Sequence, residues 1–122
     1  MKKILIIEDE RPMAKILQMK LKHEGYEAEC VFNGQEGLEK IKETKYDLIV
    51  LDLIMPVVDG FQVLEAMNKE GIDAPVIVAS NLSQPGDEDR SKKLGAVDYF
   101  IKSNTSLSDL VGRITHFLSI KK

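Results

Sequence analysis

The 122-residue sequence has one cysteine, four prolines and no tryptophan. The single cysteine, Cys30, excludes an internal disulfide and a thiolate metal cluster, and it is typical of a reducing compartment. Long apolar runs are also absent. The run from Ile4 to Ile7 is too short for a signal peptide, and Asp52 interrupts the longest internal run. We therefore expect a cytoplasmic protein without a membrane segment.

Charge of one sign is not in excess either. The chain carries 17 Lys and Arg against 20 Asp and Glu, a net charge of −3. No basic stripe is visible, so direct nucleic-acid binding is disfavoured. The length suits about one domain. We expect residues 1–122 to form a single domain that acts through protein partners.

Short apolar runs alternate with helical patterns five times along the chain. Alternation of this kind indicates a parallel α/β sheet. We expect the flavodoxin-like (βα)5 fold, which is a doubly wound five-stranded parallel sheet of order 2-1-3-4-5. The predicted strands lie near residues 3–7, 26–31, 47–51, 75–79 and 97–101.

Helix boundaries follow from cap residues and apolar spacing. The first helix is predicted from Pro12 to Glu24, and Asn33 and Asp59 are predicted to cap the second and third. The apolar face of each helix should contact the sheet. The residues predicted on these faces are Met13, Ile16, Leu17 and Leu21; Leu38 and Ile41; Phe61, Leu64 and Met67; and Leu107, Leu110, Val111, Ile114, Phe117 and Leu118.

The fourth helical segment is different because it is almost entirely charged. It is predicted from Pro85 to Leu94, with Leu94 nearly its only apolar residue. A helix with so little apolar surface should pack weakly on the sheet.

An aspartate stands at the end of the third predicted strand. Asp52 follows the apolar run Leu48 to Leu51, and Pro56 and Gly60 mark the turn that comes after it. Ligand sites in parallel sheets gather where the strands end. We therefore expect the carboxylate of Asp52 to face solvent at a functional edge.

Complementary residues should reach the same edge from other strands. They are Glu8 and Asp9 after the first strand, Ser80 at the fourth and Lys102 after the fifth. Crowded carboxylates repel one another unless a cation neutralises them, and Mg²⁺ prefers oxygen ligands. A lysine and a hydroxyl can bind phosphoryl oxygens. Each residue alone has an ordinary structural explanation, so the prediction depends on their combination.

At these residues the sequence resembles the receiver domain of two-component response regulators, in particular the single-domain, chemotaxis-regulator-like members. The family's acidic pair appears as Glu8-Asp9, its phospho-accepting aspartate as Asp52 and its switch hydroxyl as Ser80. The surrounding motifs are D-L-I-M-P-V-V-D-G and G-A-V-D-Y-F-I-K, the second of which contains Tyr99 and ends at Lys102. The resemblance covers residues 3 to about 118.

The resemblance implies that Asp52 accepts a phosphoryl group from a sensor histidine kinase or a histidine phosphotransfer protein. It also implies that Asp9, Asp52 and the backbone carbonyl of Ile54 hold Mg²⁺, with Glu8 reaching the ion through water. Such a domain catalyses only its own phosphorylation and dephosphorylation.

By the same resemblance, Lys102 and Ser80 bind the new phosphoryl oxygens. Ser80 then moves inward, and Tyr99 turns into the space that it leaves. The face formed by the fourth helix, fifth strand and fifth helix changes and signals to a downstream protein. A phosphorylation-dependent dimer is one form that this output takes in the family.

Two departures from the family pattern concern the site. Asn81, followed by Leu82, replaces the usual small residue, so we expect an altered dephosphorylation rate of unspecified sign. Ser103 replaces the proline that commonly follows the lysine. A cis bond without proline costs about 3 kcal/mol, so we expect the Lys102–Ser103 bond to be trans.

Three other functions are alternatives to this interpretation. An aspartyl-phosphate phosphatase would need a second acid at position 54, which is Ile54. A nucleotide-binding domain would need glycines or hydroxyls where Glu8, Asp9 and Glu10 stand. The third is an interaction module with a receiver fold that does not depend on phosphorylation, and Mg²⁺-dependent phosphorylation distinguishes it from a working receiver.

Overall fold

The computed structural model describes residues 1–81 and 84–120. Leu82, which the sequence places after Asn81, lies outside this part. The elements alternate as β1 (Lys3–Ile7), α1 (Arg11–His23), β2 (Glu27–Val31), α2 (Gly34–Glu43), β3 (Leu48–Leu51), α3 (Gly60–Lys69), β4 (Val76–Ser80), α4 (Asp87–Lys93), β5 (Asp98–Ile101) and α5 (Leu107–Ile120). A 3₁₀ turn over Lys102–Asn104 joins β5 to α5.

All five strands are parallel and lie in the order β2-β1-β3-β4-β5. This confirms the predicted flavodoxin-like fold. In the central strands, Leu51 lies opposite both Ile7 and Val78. The register therefore brings the last residues of these strands to one edge of the sheet.

The sheet separates two apolar cores because successive strand residues point to opposite faces. Leu5 and Ile7 belong to one core with residues of α2 and α3, whereas Ile4 and Ile6 belong to the other with residues of α1 and α5. Of the residues predicted on the α5 face, Leu110, Ile114 and Leu118 are buried, and Leu107, Val111 and Phe117 pack partly buried on the same core. Helices α1 and α5 thus cover one face, and α2 and α3 cover the other, where Leu94 at the end of α4 also packs.

The predicted apolar face of α1 is partly wrong. Leu17 and Leu21 are buried, but Ile16 is 47% exposed and Met13 is only half-buried. Ala14 is buried instead, since it lies on the same stripe as Leu17 and Leu21 at i, i+3 and i+7. The α1 stripe is therefore centred one residue away from the prediction, on a small side chain.

Both predicted helix caps are confirmed. The Asn33 side chain accepts a hydrogen bond from the Glu36 backbone N–H at 2.8 Å. Asp59 and Gln62 form a reciprocal capping box, with two bonds of 2.9 Å. Helix α3 consequently begins at Gly60, immediately after the loop that follows Asp52.

Helix α4 contacts its neighbours mainly through polar groups. It is shorter than predicted, and Ser91 is its only buried residue. The Arg90 guanidinium lies over the Phe61 ring, 4.0 Å from its centroid, and 3.7 Å from a Glu65 carboxylate oxygen. The Asn68 side chain donates to the Leu94 carbonyl at 2.7 Å. Leu94 packs on the core as predicted, but the links from α3 were not visible in the sequence.

No helix within residues 1–81 and 84–120 is long and apolar enough to cross a membrane.

Candidate functional site

Backbone hydrogen bonds extend the sheet by one residue and fix two acidic residues at its edge. The Glu8 N–H donates to the Val31 carbonyl at 3.1 Å, and the Asp52 N–H donates to the Ile7 carbonyl at 3.0 Å. Both acids are only 5% exposed. The expectation that the Asp52 carboxylate faces solvent is therefore wrong, because the Lys102 ammonium lies against it. The side chains of both acids are thus placed by the sheet rather than by a free loop.

The structure brings Glu8, Asp9 and Asp52 together. One carboxylate oxygen of each lies within 4.8 Å of the others, and Asp9 is the exposed member. The residues fit Mg²⁺, because three carboxylates offer the oxygen ligands that it prefers and the exposed Asp9 leaves the cluster accessible to a hydrated ion. Asp52 Oδ1 also accepts a hydrogen bond from the Ile54 N–H at 3.2 Å.

Lys102 enters the same cluster from the end of β5. Its ammonium donates to Glu8 Oε1 and lies 3.4 Å from Asp52 Oδ2 and 3.8 Å from Glu10 Oε1. Burial opposes the charge of Lys102, but the hydrogen bond to Glu8 and the nearby acids outweigh it and raise the Lys102 pKa. The site is a lysine surrounded by carboxylates.

The pKa of Glu8 is raised at this site. Burial raises the pKa of Glu8 from 4.5 to about 7, and the charge of Asp52 acts in the same direction. The hydrogen bonds from Lys102 and from the Glu10 backbone oppose this rise. A cation bound to the cluster would favour the charged form.

The two residues expected to act as a switch lie on neighbouring strands. Ser80 is fully buried at the end of β4 and pairs with Ile101, the residue before Lys102. Tyr99 is half-buried and packs against the α2–α3 core. Burial, together with the charges of Asp87 and Glu88, raises the Tyr99 pKa. Ser80 is therefore at the strand end that adjoins Lys102, and Tyr99 lies three residues before Lys102 on β5.

The loop between β3 and α3 is tightly shaped. Val57 has a φ of +69°, and its neighbours close a γ-turn in which the Val58 N–H donates to the Pro56 carbonyl at 2.8 Å. A Cβ added at Gly60 would lie 2.5 Å from the Asp52 carbonyl oxygen. The sequence indicated a turn here, but it did not indicate this close approach.

The departures from the family pattern adjoin the cluster. The Lys102–Ser103 bond is trans, as predicted. Asn81 is exposed beside the buried Ser80. The contact between Glu10 and Lys102 was not predicted from the sequence. The signal for it was the position of Glu10 as a third acid directly after Glu8 and Asp9.

Comparison with known proteins decides the family. The model of the response regulator receiver domain matches residues 4–115. The chain belongs to this family. The receiver domain resembles the transcriptional regulatory protein PcoR of Escherichia coli, with 37% identity over 118 residues that cover 97% of the chain and 52% of PcoR. Response regulator ArlR of Staphylococcus aureus is 34% identical over 118 residues, which are 97% of this chain and 53% of ArlR. The chain thus spans about half the length of these relatives.

Solved structures agree with the family. The receiver domain of a Francisella response regulator superposes with a TM-score of 0.92 at 30% identity, and the match covers 100% of both chains. Response regulator TrrA of Thermotoga maritima, solved in complex with Mg²⁺-BeF, superposes with a TM-score of 0.82 at 33% identity, covering 95% of this chain and 98% of TrrA.

Proposed function

We propose that this receiver domain accepts a phosphoryl group on Asp52 from a phosphohistidine of a partner protein. The observation that carries the proposal is the position of Asp52, which is buried at the sheet edge between two other carboxylates and the Lys102 ammonium. A carboxylate is an established nucleophile for covalent catalysis. Residues 1–122 would act as one receiver domain.

In the proposed reaction, a carboxylate oxygen of Asp52 attacks phosphorus. A new O–P bond forms, the P–N bond of the phosphohistidine breaks, and the imidazole leaves with its bonding electron pair. Asp9, Asp52 and the Ile54 carbonyl would hold Mg²⁺, with Glu8 bound through water. When bound, Mg²⁺ would neutralise the charge that develops on the transferred group.

The side chains around Asp52 would then hold the product. Lys102 is 3.4 Å from Asp52 Oδ2 before any reaction, so a small movement lets its ammonium bind a phosphoryl oxygen. Ser80, on the adjacent strand end, would donate its hydroxyl to another. Tyr99 would follow Ser80 inward and change the face of α4, β5 and α5. The polar attachment of α4 supports this part of the proposal.

The partners follow from this chemistry. The phosphodonor would be a sensor histidine kinase or a histidine phosphotransfer protein in the cytoplasm, and the changed face would contact a downstream protein or a second copy of the chain. The domain would catalyse only its own phosphorylation and dephosphorylation. PcoR is named a transcriptional regulator, but the chain covers only half of it, so a transcriptional role is an alternative for the output.

Intact mass after incubation with acetyl phosphate tests the proposal. We expect one phosphoryl adduct that requires Mg²⁺ and is lost in Asp52→Asn. Asp59→Asn is a matched control, since Asp59 caps α3 outside the cluster and asparagine caps equally well. Wild-type protein that gains no adduct with Mg²⁺ would favour the phosphorylation-independent interaction module.

A further inference from the structure

Lys102 contacts two of the three carboxylates that would surround a metal ion. Its ammonium binds Glu8 Oε1 and lies near Asp52 Oδ2, whereas the remaining oxygens of these acids accept backbone hydrogen bonds from Glu10 and Ile54. These two donors belong to the main chain, in the loop after β3 and at the start of α1. The lysine is the donor that can move, because its ammonium sits on a flexible four-carbon stem.

Glu10 is the third acid beside this ammonium, at 3.8 Å. Its backbone is anchored, since its N–H donates to Glu8 and its carbonyl accepts from the Ala14 N–H at 3.0 Å. Its side chain is 59% exposed and makes no helix-capping bond. The carboxylate can therefore approach Lys102 without losing another partner that the structure shows.

We propose that Glu10 is a positioning residue for Mg²⁺ binding, because it receives the Lys102 ammonium when the metal binds to Asp9 and Asp52. Divalent charge at the cluster repels the ammonium, and Glu10 gives it a new partner at the edge of the site. This inference rests on the Mg²⁺ site of the proposed function and adds a residue to it.

A double-mutant cycle on Mg²⁺ affinity, measured by isothermal titration calorimetry, tests the role of Glu10. Lys102→Gln should bind Mg²⁺ more tightly than wild type, because the competitor is gone. Glu10→Gln should weaken Mg²⁺ binding in both backgrounds, but by a factor about two to five times larger in wild type than in Lys102→Gln. That difference is the range of effects measured for an exposed ion pair. Asp73→Asn, an equal charge change at the opposite edge of the sheet, should leave the affinity within error of wild type.

Equal effects of Glu10→Gln in both backgrounds would mean that Glu10 acts only through its charge, and would overturn the proposal. A crystal structure of the Mg²⁺ complex gives a second readout. We expect the Lys102 ammonium within hydrogen-bond distance of Glu10, and an ammonium still bound to Glu8 with Glu10 turned away would contradict this. Wild-type protein that binds no Mg²⁺ would overturn both this inference and the metal site of the proposed function.

Discussion

Replacing Gly60 with alanine should damage the protein at the point where the fold supports Asp52. The added Cβ would lie 2.5 Å from the Asp52 carbonyl oxygen and 2.7 Å from Leu53 Cα. Both are backbone atoms held by the sheet edge, because the Asp52 N–H bonds to β1 and the Gly60 N–H bonds to Leu53. The clash therefore has to be relieved by moving α3 or Asp52.

Overpacking of this kind lowers the free energy of unfolding by about 1–3 kcal/mol. The better helix propensity of alanine offsets only part of that loss. We expect the free energy of unfolding of Gly60→Ala to fall by about 2 kcal/mol, which corresponds to a Tm lower by roughly 8 °C for a chain of this size. Urea unfolding followed by circular dichroism measures the change. The same displacement should slow Asp52 phosphorylation by acetyl phosphate.

Gly112 provides the matched control. It is an exposed residue within α5, and a Cβ added there would meet nothing within 4 Å. Gly112→Ala should therefore raise the unfolding free energy by about 0.5–1 kcal/mol. If Gly60→Ala is as stable as Gly112→Ala, the close approach between α3 and Asp52 does not exist as described.

Three further predictions concern single contacts. Val57→Gly should raise the unfolding free energy by about 0.5–1 kcal/mol in urea titrations, because a branched residue at positive φ is strained and its 94%-exposed side chain adds no packing. Arg90→Ala should speed amide hydrogen exchange in α4 but not in α5, because it removes the stacking on Phe61. Glu8→Gln should flatten the pH dependence of stability in metal-free protein. The raised pKa of Glu8, about 7, means that its stabilising contribution is complete below pH 4.5 and is lost as pH rises through 7; an unchanged slope between these values would refute the assignment.

The sequence predicted most of the sheet because β1, β3 and β4 are short apolar runs. It also placed Glu8, Asp9, Asp52 and Lys102 correctly at one edge, since strand order and strand ends together fix that edge. Periodicity wrongly predicted that Ile16 is buried. The spacing of large apolar residues does not show that a small residue, here Ala14, can be the buried member of the α1 stripe.

Contacts between distant side chains could not be derived from local patterns. The stacking of Arg90 on Phe61 joins two helices that the sequence treats as independent. The positive φ of Val57 was also hidden, because a valine gives no turn signal of the kind that glycine gives. Both features are set by how α3 and its loop fit the finished sheet.

Trapping the acyl phosphate at its residue tests whether Asp52 accepts the phosphoryl group. Protein incubated with acetyl phosphate and Mg²⁺ would be reduced with borohydride, which converts a phosphorylated aspartate to homoserine, and then digested for tandem mass spectrometry. We predict homoserine at position 52, and no homoserine there when Mg²⁺ is left out. Reduction at Asp9 instead, or no reduced residue in wild-type protein, would contradict the assignment of Asp52 as phospho-acceptor.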